Sequence, residues 1–153
     1  MTFPEFAQLQ MPAADSGWRP WPSLTWVKTT KAGSAVEDPA NLLDEDIRSG
    51  MGYHWRRCEE RILMLEKGKV KLNKLGWKNV LLGPRAGKGD FPTQKPREVI
   101  RRLIENSTQP GDLVLDPFCG SGVVGSVAQE LGRRAVLIDV DASAARELLR
   151  HQA

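Results

Sequence analysis

The segment LVLDPFCGSGVVGSVAQELGRRAVLIDVD, residues 113–141, constrains this chain more than any other. The apolar run LVLD meets a glycine-rich turn. From Ser121 an apolar stripe through Val123, Val124, Val127, Ala128 and Leu131 keeps helical spacing as far as Gly132, a good helix terminator. RAVLIDVD reads as a second strand, and Ala142 to His151 as a further helix. Upstream, Val99, Ile100, Leu103 and Ile104 form one face of a helix that starts near Pro96 and runs out near Ser107, where QPGD turns the chain into LVLD. Strands alternating with helices predict an α/β fold, a partly parallel sheet with helical crossovers.

In such sheets ligands bind at the carboxyl ends of the strands, where a helix N-terminus offers free N–H groups. Gly120 and Gly122 allow the backbone to approach a ligand with no Cβ between them. Asp116 at the strand end speaks against a phosphate clamp, because a carboxylate repels a pyrophosphate, and no Lys followed by Ser or Thr comes after the glycines. A cationic amino group suits the site better. Asp139, some twenty residues on, is placed to accept hydrogen bonds from ribose hydroxyls. A nucleoside carrying a positive charge is the inference, and S-adenosylmethionine has both parts.

The rest of the chain is less regular. SLTWVKT alternates as a strand does, after prolines 20 and 22 that bar a helix interior. Residues 31–51 read as a long exposed loop, and no secure helix is expected in 1–17. RILMLEKG fits a buried strand ending at Gly68, or a short helix. Lys69 to Gly89 mixes lysines with Trp77 and with Gly76, Gly83, Pro84 and Gly87, and reads as a basic, irregular insert. Trp77 is expected to be a buried anchor for it, with base stacking as the other reading.

Charge follows this division. Arg56 to Arg102 holds 14 basic and 5 acidic residues, a balance of +9, while the flanks together carry −6. That asymmetry suits a polyanion, although a solvated basic surface gives the same count. Cys58 and Cys119 lie far apart with no neighbours at metal-ligand spacing, so reduced thiols are expected and no metal site. With no apolar run of membrane-spanning length and no basic, apolar leader at the start, a cytoplasmic protein without membrane contact is expected.

FPTQKP followed by DPFCGSG resembles the paired cofactor motifs of the DNA amino-methyltransferases, which transfer a methyl group from S-adenosylmethionine to the exocyclic amino group of adenine or cytosine. The order of the segments is similar to the permuted subgroup, in which the cofactor half comes last, as in phage-type and restriction-modification members. The resemblance implies an incomplete Rossmann-like methyltransferase fold acting on double-stranded DNA. By resemblance Asp116, Pro117, Phe118, Gly120, Ser121 and Gly122 form the cofactor loop. Thr93, Gln94, Lys95 and Pro96 lie near the methionine part of the cofactor, with Lys95 as partner for its carboxylate, and Asp139 corresponds to the ribose-binding acid. Cys119 fills a variable position and receives no role.

The resemblance further implies one partial domain over 1–153. Residues 1–68 supply the last strands of the catalytic half, 69–90 stand in the target-recognition position, and 91–153 form the cofactor half. Phosphate contacts are then expected from Arg56, Arg57, Lys69, Lys71, Lys74, Arg85 and Lys88, which position a duplex without reading its sequence.

The family's catalytic signature is Asp, Asn or Ser, then two prolines, then an aromatic residue that stacks on the flipped base. EDPAN, RPWPS and DPFCG are the nearest strings here, and none has two adjacent prolines. The expectation is a chain truncated at its N-terminal side, with no catalytic residues of its own and inactive alone. It must rearrange, associate, or receive the missing strands from a second chain. Two other readings stay open: a noncatalytic module that binds cofactor or nucleic acid, and a nicotinamide-dependent oxidoreductase, which Asp116 disfavours.

Overall fold

The computed structural model describes residues 12–30, 46–50, 53–85 and 94–141. The chain divides into two units, Met1–Lys71 with Leu75–Pro84, and Leu72–Lys74 with Arg85–Ala153.

The first unit is built on strands. Arg19–Pro20 (β1) pairs antiparallel with Leu65–Glu66 (β4). Leu24–Thr29 (β2) is the centre of a three-stranded sheet, antiparallel to Glu59–Ile62 (β3) on one edge and parallel to Val80–Pro84 (β5) on the other. The β-branched and aromatic residues of LTWVKT explain the choice of strand, since they pack well on a pleated surface. Trp26 is buried, and its indole N–H donates to the Gly83 carbonyl at 2.8 Å. Thr29 and Leu81 are buried in the same unit.

Two expectations change here. The insert from Lys69 to Gly89 is not irregular throughout, because Val80, Leu81 and Leu82 enter β5. Gly83 and Pro84 disguise the strand in the sequence, yet neither breaks it. Gly83 offers the carbonyl that Trp26 needs, and a proline without an N–H is tolerated on an edge strand. RILMLEKG is likewise two strand segments, since β3 joins β2 while β4 joins β1, and the Trp21 N–H donates to the Met64 carbonyl at 2.9 Å where they part.

Glu66 is buried in this unit despite its charge. It accepts from the Val70 N–H at 2.9 Å and from the Trp21 indole, and Arg19 lies 3.3 Å away. These donors, the Val70 amide first and the indole second, hold its carboxyl below the ordinary 4.5. Glu60 pairs with Lys28 at 3.1 Å. Glu66 and Glu60 thus draw basic partners from β1 and β2 respectively.

In the second unit Arg97–Ser107 (α1), Leu113–Asp116 (β6), Val123–Glu130 (α2) and Arg134–Leu137 (β7) follow the expected alternation. Pro96 stands at the helix N-cap position with its fixed φ of −63°. β6 and β7 pair in parallel, Leu113 with Arg134 through Asp116 with Leu137. Ile104 of α1 meets Val123, Val127 and Ala128 of α2 in a core that Val114 and Ala135 complete from the strands. Arg97 and Arg101 both pair with Glu130, locking the helices together at the surface.

At Gly125 α2 packs tightly on β7, since a Cβ there would lie 2.4 Å from Leu137 Cδ1. α2 ends in a Schellman turn: Gly132, at φ +74°, donates to Gln129 O, and Arg133 N–H donates to Ala128 O at 2.8 Å. It begins at Val123, two residues after the expected start, because Gly122 adopts φ +73° and its N–H turns back to the Cys119 carbonyl at 2.7 Å. The expected helix over Ala142 to His151 lies outside the described residues.

Candidate functional site

The chain leaves β6 at Asp116 and must reverse into α2 at Val123. Two backbone bonds carry the parallel ladder past the end of β7 and fasten the loop: Ile138 N–H donates to Asp116 O at 2.9 Å, and Cys119 N–H donates to Ile138 O at 3.0 Å. Gly120 and Gly122 take φ of +47° and +73°, conformations that cost a residue with a Cβ free energy. Among the described residues no heavy atom stands within 4 Å of where a Cβ on Gly120 would be, so the loop backbone is open on that side. Phe118 is 87% exposed beside it.

Two carboxylates frame this loop. Asp116 Oδ1 accepts the Phe118 N–H at 3.1 Å, an Asp-turn that fixes the strand end. Asp139 Oδ2 accepts the Gly120 N–H at 2.7 Å, and its Oδ1 accepts the Asp141 N–H at 3.0 Å. These amides, Asp141 first and Gly120 second, hold the Asp139 carboxyl below its ordinary 3.8. Burial, then Asp139, then Asp116 push the Cys119 thiol above its ordinary 9.0, which favours its protonated form.

Gln94 is half-buried, Lys95 exposed and Pro96 buried, at the entry to α1. Thr93 lies outside the described residues. Arg97, one residue beyond Pro96, donates from Nη1 to Ser126 Oγ at 3.1 Å. That bond brings the end of the TQKP motif to the first turns of α2, the helix that the glycine loop opens. Neither Arg97 nor Ser126 was singled out in the sequence, and only the pairing of a charged helix start with a polar residue on the next helix could have pointed to them.

Such an arrangement can hold a ligand with a cationic group near Asp116 and hydroxyls near Asp139. Both carboxylates keep acceptor capacity, since each oxygen has a second lone pair beside the amide it already serves.

The basic residues are distributed over both units. Arg56, Arg57, Lys69 and Lys71 are exposed in the first, and Lys74 and Arg85 are exposed in the second. Lys88 lies outside the described residues. Lys74 sits on a segment fastened to the C-terminal end of α1, where the Asn73 amide donates to the carbonyls of Glu105 and Thr108 at 2.6 and 2.7 Å. Trp77 is 40% exposed, so it is not the buried anchor that the sequence suggested. Among the described residues no group of His, Cys, Asp and Glu is placed to hold a metal ion, and no helix is long and apolar enough to cross a membrane.

Comparison with known proteins supplies the family. The N6/N4 DNA methylase family model matches residues 4–150. The type II methyltransferase M2.DpnII of Streptococcus pneumoniae is 53% identical over 53 residues, which are 35% of this chain and 20% of that protein. The type II methyltransferase M.XycI of Xanthomonas campestris pv. cyanopsidis is 34% identical over 132 residues, 83% of this chain and 42% of that protein. This chain therefore spans less than half the length of either relative. In fold it is similar to M1.HpyAVI, solved as a complex with SAM, at a TM-score of 0.72 and 21% identity over 99% of this chain and 71% of that one. With a family match over nearly its whole length, on a parallel α/β unit whose glycine loop meets an acid at the next strand's end, the chain belongs to the N6/N4 DNA methylase family.

Proposed function

We propose that this chain is the S-adenosylmethionine-binding portion of a DNA methyltransferase acting on an exocyclic amino group of adenine or cytosine. The observation that carries the reading is the hydrogen bond from the Gly120 N–H to the Asp139 carboxylate, which joins the glycine loop and the acid of the next strand in one site. Asp116 faces the ammonium end of the cofactor, Asp139 its ribose hydroxyls, and Lys95 its carboxylate. Gly120 and Gly122 leave room for it, and Pro117, Phe118 and Ser121 complete the wall. Thr93, Gln94 and Pro96 shape the methionine end. When bound, the cofactor supplies an electrophilic methyl group, and the chain's task is to orient it. A cytoplasmic location, where DNA is met, accords with the reading.

No Pro-Pro-aromatic signature stands in this sequence, so the chain alone transfers no methyl group. A second chain that supplies the catalytic strand completes the enzyme. One feature favours it: α1 and α2 cover one face of the β6–β7 sheet, while Leu113, Leu115, Val136 and Ile138 stand exposed. Parallel sheets are normally covered on both faces. Such a chain is also a binding module in its own right, complementing another subunit. Labelled S-adenosylmethionine should bind the purified chain without methyl transfer to unmethylated duplex DNA. Transfer by the chain alone, or a folded chain that fails to bind, overturns the proposal.

A further inference from the structure

Arg97 occupies the first position of α1, two residues after Lys95. A positive charge in the first turn of a helix opposes the helix dipole, so α1 itself gains nothing from it. Arg97 Nη1 donates to Ser126 Oγ at 3.1 Å and Nη2 donates to Glu130 Oε1, while Arg101 Nη2 donates to the other oxygen of Glu130 at 2.6 Å. The Arg97 and Glu130 side chains are 45% and 44% exposed, and ion pairs so open to water contribute little to stability. What the guanidinium does fix is geometry, since it spans from the start of α1 to α2.

Both ends of that bridge lead to the cofactor site. On the α2 side, Ser126 lies in the first turn and its N–H donates to the Gly122 carbonyl at 3.1 Å, which fastens it to the glycine loop directly. On the α1 side, Pro96 is buried at the helix N-cap with φ −63°, and its carbonyl accepts the Ile100 N–H at 3.2 Å. A proline also restricts the residue before it to extended conformations. The backbone from Arg97 back to Lys95 thus has little freedom. The position of α1 against α2 sets where the exposed Lys95 side chain begins.

We propose that Arg97 is a positioning residue for the cofactor: through Ser126 it sets the distance from the glycine loop to Lys95, and so the affinity for the methionine carboxylate. Arg97 touches no cofactor atom itself. The proposal rests on the reading that Lys95 meets that carboxylate, and it gives a reason for an arginine where the helix dipole disfavours one.

The test titrates the full chain calorimetrically with S-adenosylmethionine and with its decarboxylated form, which lacks only the carboxylate. The native chain should prefer S-adenosylmethionine by about ten-fold, the scale of one hydrogen bond to a charged group. Lys95→Ala should abolish the preference, and Arg97→Ala and Ser126→Ala should each cut it to about three-fold or less, as a misplaced donor would. In the Lys95→Ala background Arg97→Ala should cost nothing further, as expected of a residue that acts through the lysine. Arg101→Ala breaks only the second arm of the Glu130 pair and should keep the full preference, which separates positioning from loss of helix packing. Affinity for the decarboxylated form reports that each variant is folded. A preference that survives both Arg97→Ala and Ser126→Ala overturns the positioning role, as does a further loss from Arg97→Ala once Lys95 is gone, and in either case Lys95 keeps its place. Equal binding of the two compounds by the native chain overturns the Lys95 reading, and the positioning role with it. Binding of neither overturns the cofactor reading and both roles.

Discussion

The Gly120 N–H and the Asp139 carboxylate, 19 positions apart in the chain, meet at 2.7 Å. A residue that sets the conformation of the glycine loop is thus also the one proposed to bind the cofactor ribose. Asp139→Ala should therefore weaken S-adenosylmethionine binding by more than the loss of the ribose contacts, because the loop is released as well. A loss of about ten-fold or greater is expected, the scale of a hydrogen bond to a charged group. Asp139→Asn keeps one carbonyl acceptor and should fall between Ala and the native residue, as calorimetric titration of the three proteins would reveal.

Packing of α2 on β7 depends on Gly125. A Cβ at that position meets the Leu137 side chain at 2.4 and 3.2 Å, a flexible neighbour that can yield in part. Gly125→Ala should cost about 1 kcal/mol, near the low end for overpacking. Leu137→Ala should lower that cost, so the double variant is more stable than the sum of the singles predicts. Urea denaturation of the four proteins measures the coupling.

Glu66 ties stability of the first unit to pH. Its folded carboxyl is held below the unfolded value of 4.5 by the Val70 amide and the Trp21 indole. The stabilisation is present above pH 4.5 and is lost as the pH falls through the lower folded value. Glu66→Gln should be less stable than the native chain at neutral pH, and the gap should close in acid. Melting temperatures of both proteins between pH 7 and pH 3 report it.

Phosphate contacts are proposed for Lys69 and Lys71, both exposed. If both touch the backbone, replacing them with Ala should lower the slope of log affinity against log salt by about 1.8, at about 0.9 per phosphate. Binding that stays constant from low to high salt would remove this role.

Much of the second unit was legible because its signals are local. The stripe Val99, Ile100, Leu103 and Ile104 announces α1, and LVLD between QPGD and the glycines announces β6. The first unit depends on partners distant in the chain. Val80 to Pro84 becomes a strand because β2 offers its edge and Trp26 needs the Gly83 carbonyl, and neither is written within five residues of β5. At the site, the sequence supplied the residue types and their order, whereas the contact of Asp139 with Gly120 and the bond from Arg97 to Ser126 depend on tertiary packing. Start and stop signals carry the same lesson: Ser121 looked like a helix start, yet the left-handed Gly122 delays the helix to Val123.

Calorimetric titration of the full chain with S-adenosylmethionine and, separately, with NAD decides which cofactor the glycine loop holds. Saturable heat is expected with S-adenosylmethionine alone, lost in Asp116→Ala. Heat with NAD, or a folded native chain that gives none with S-adenosylmethionine, would contradict that expectation.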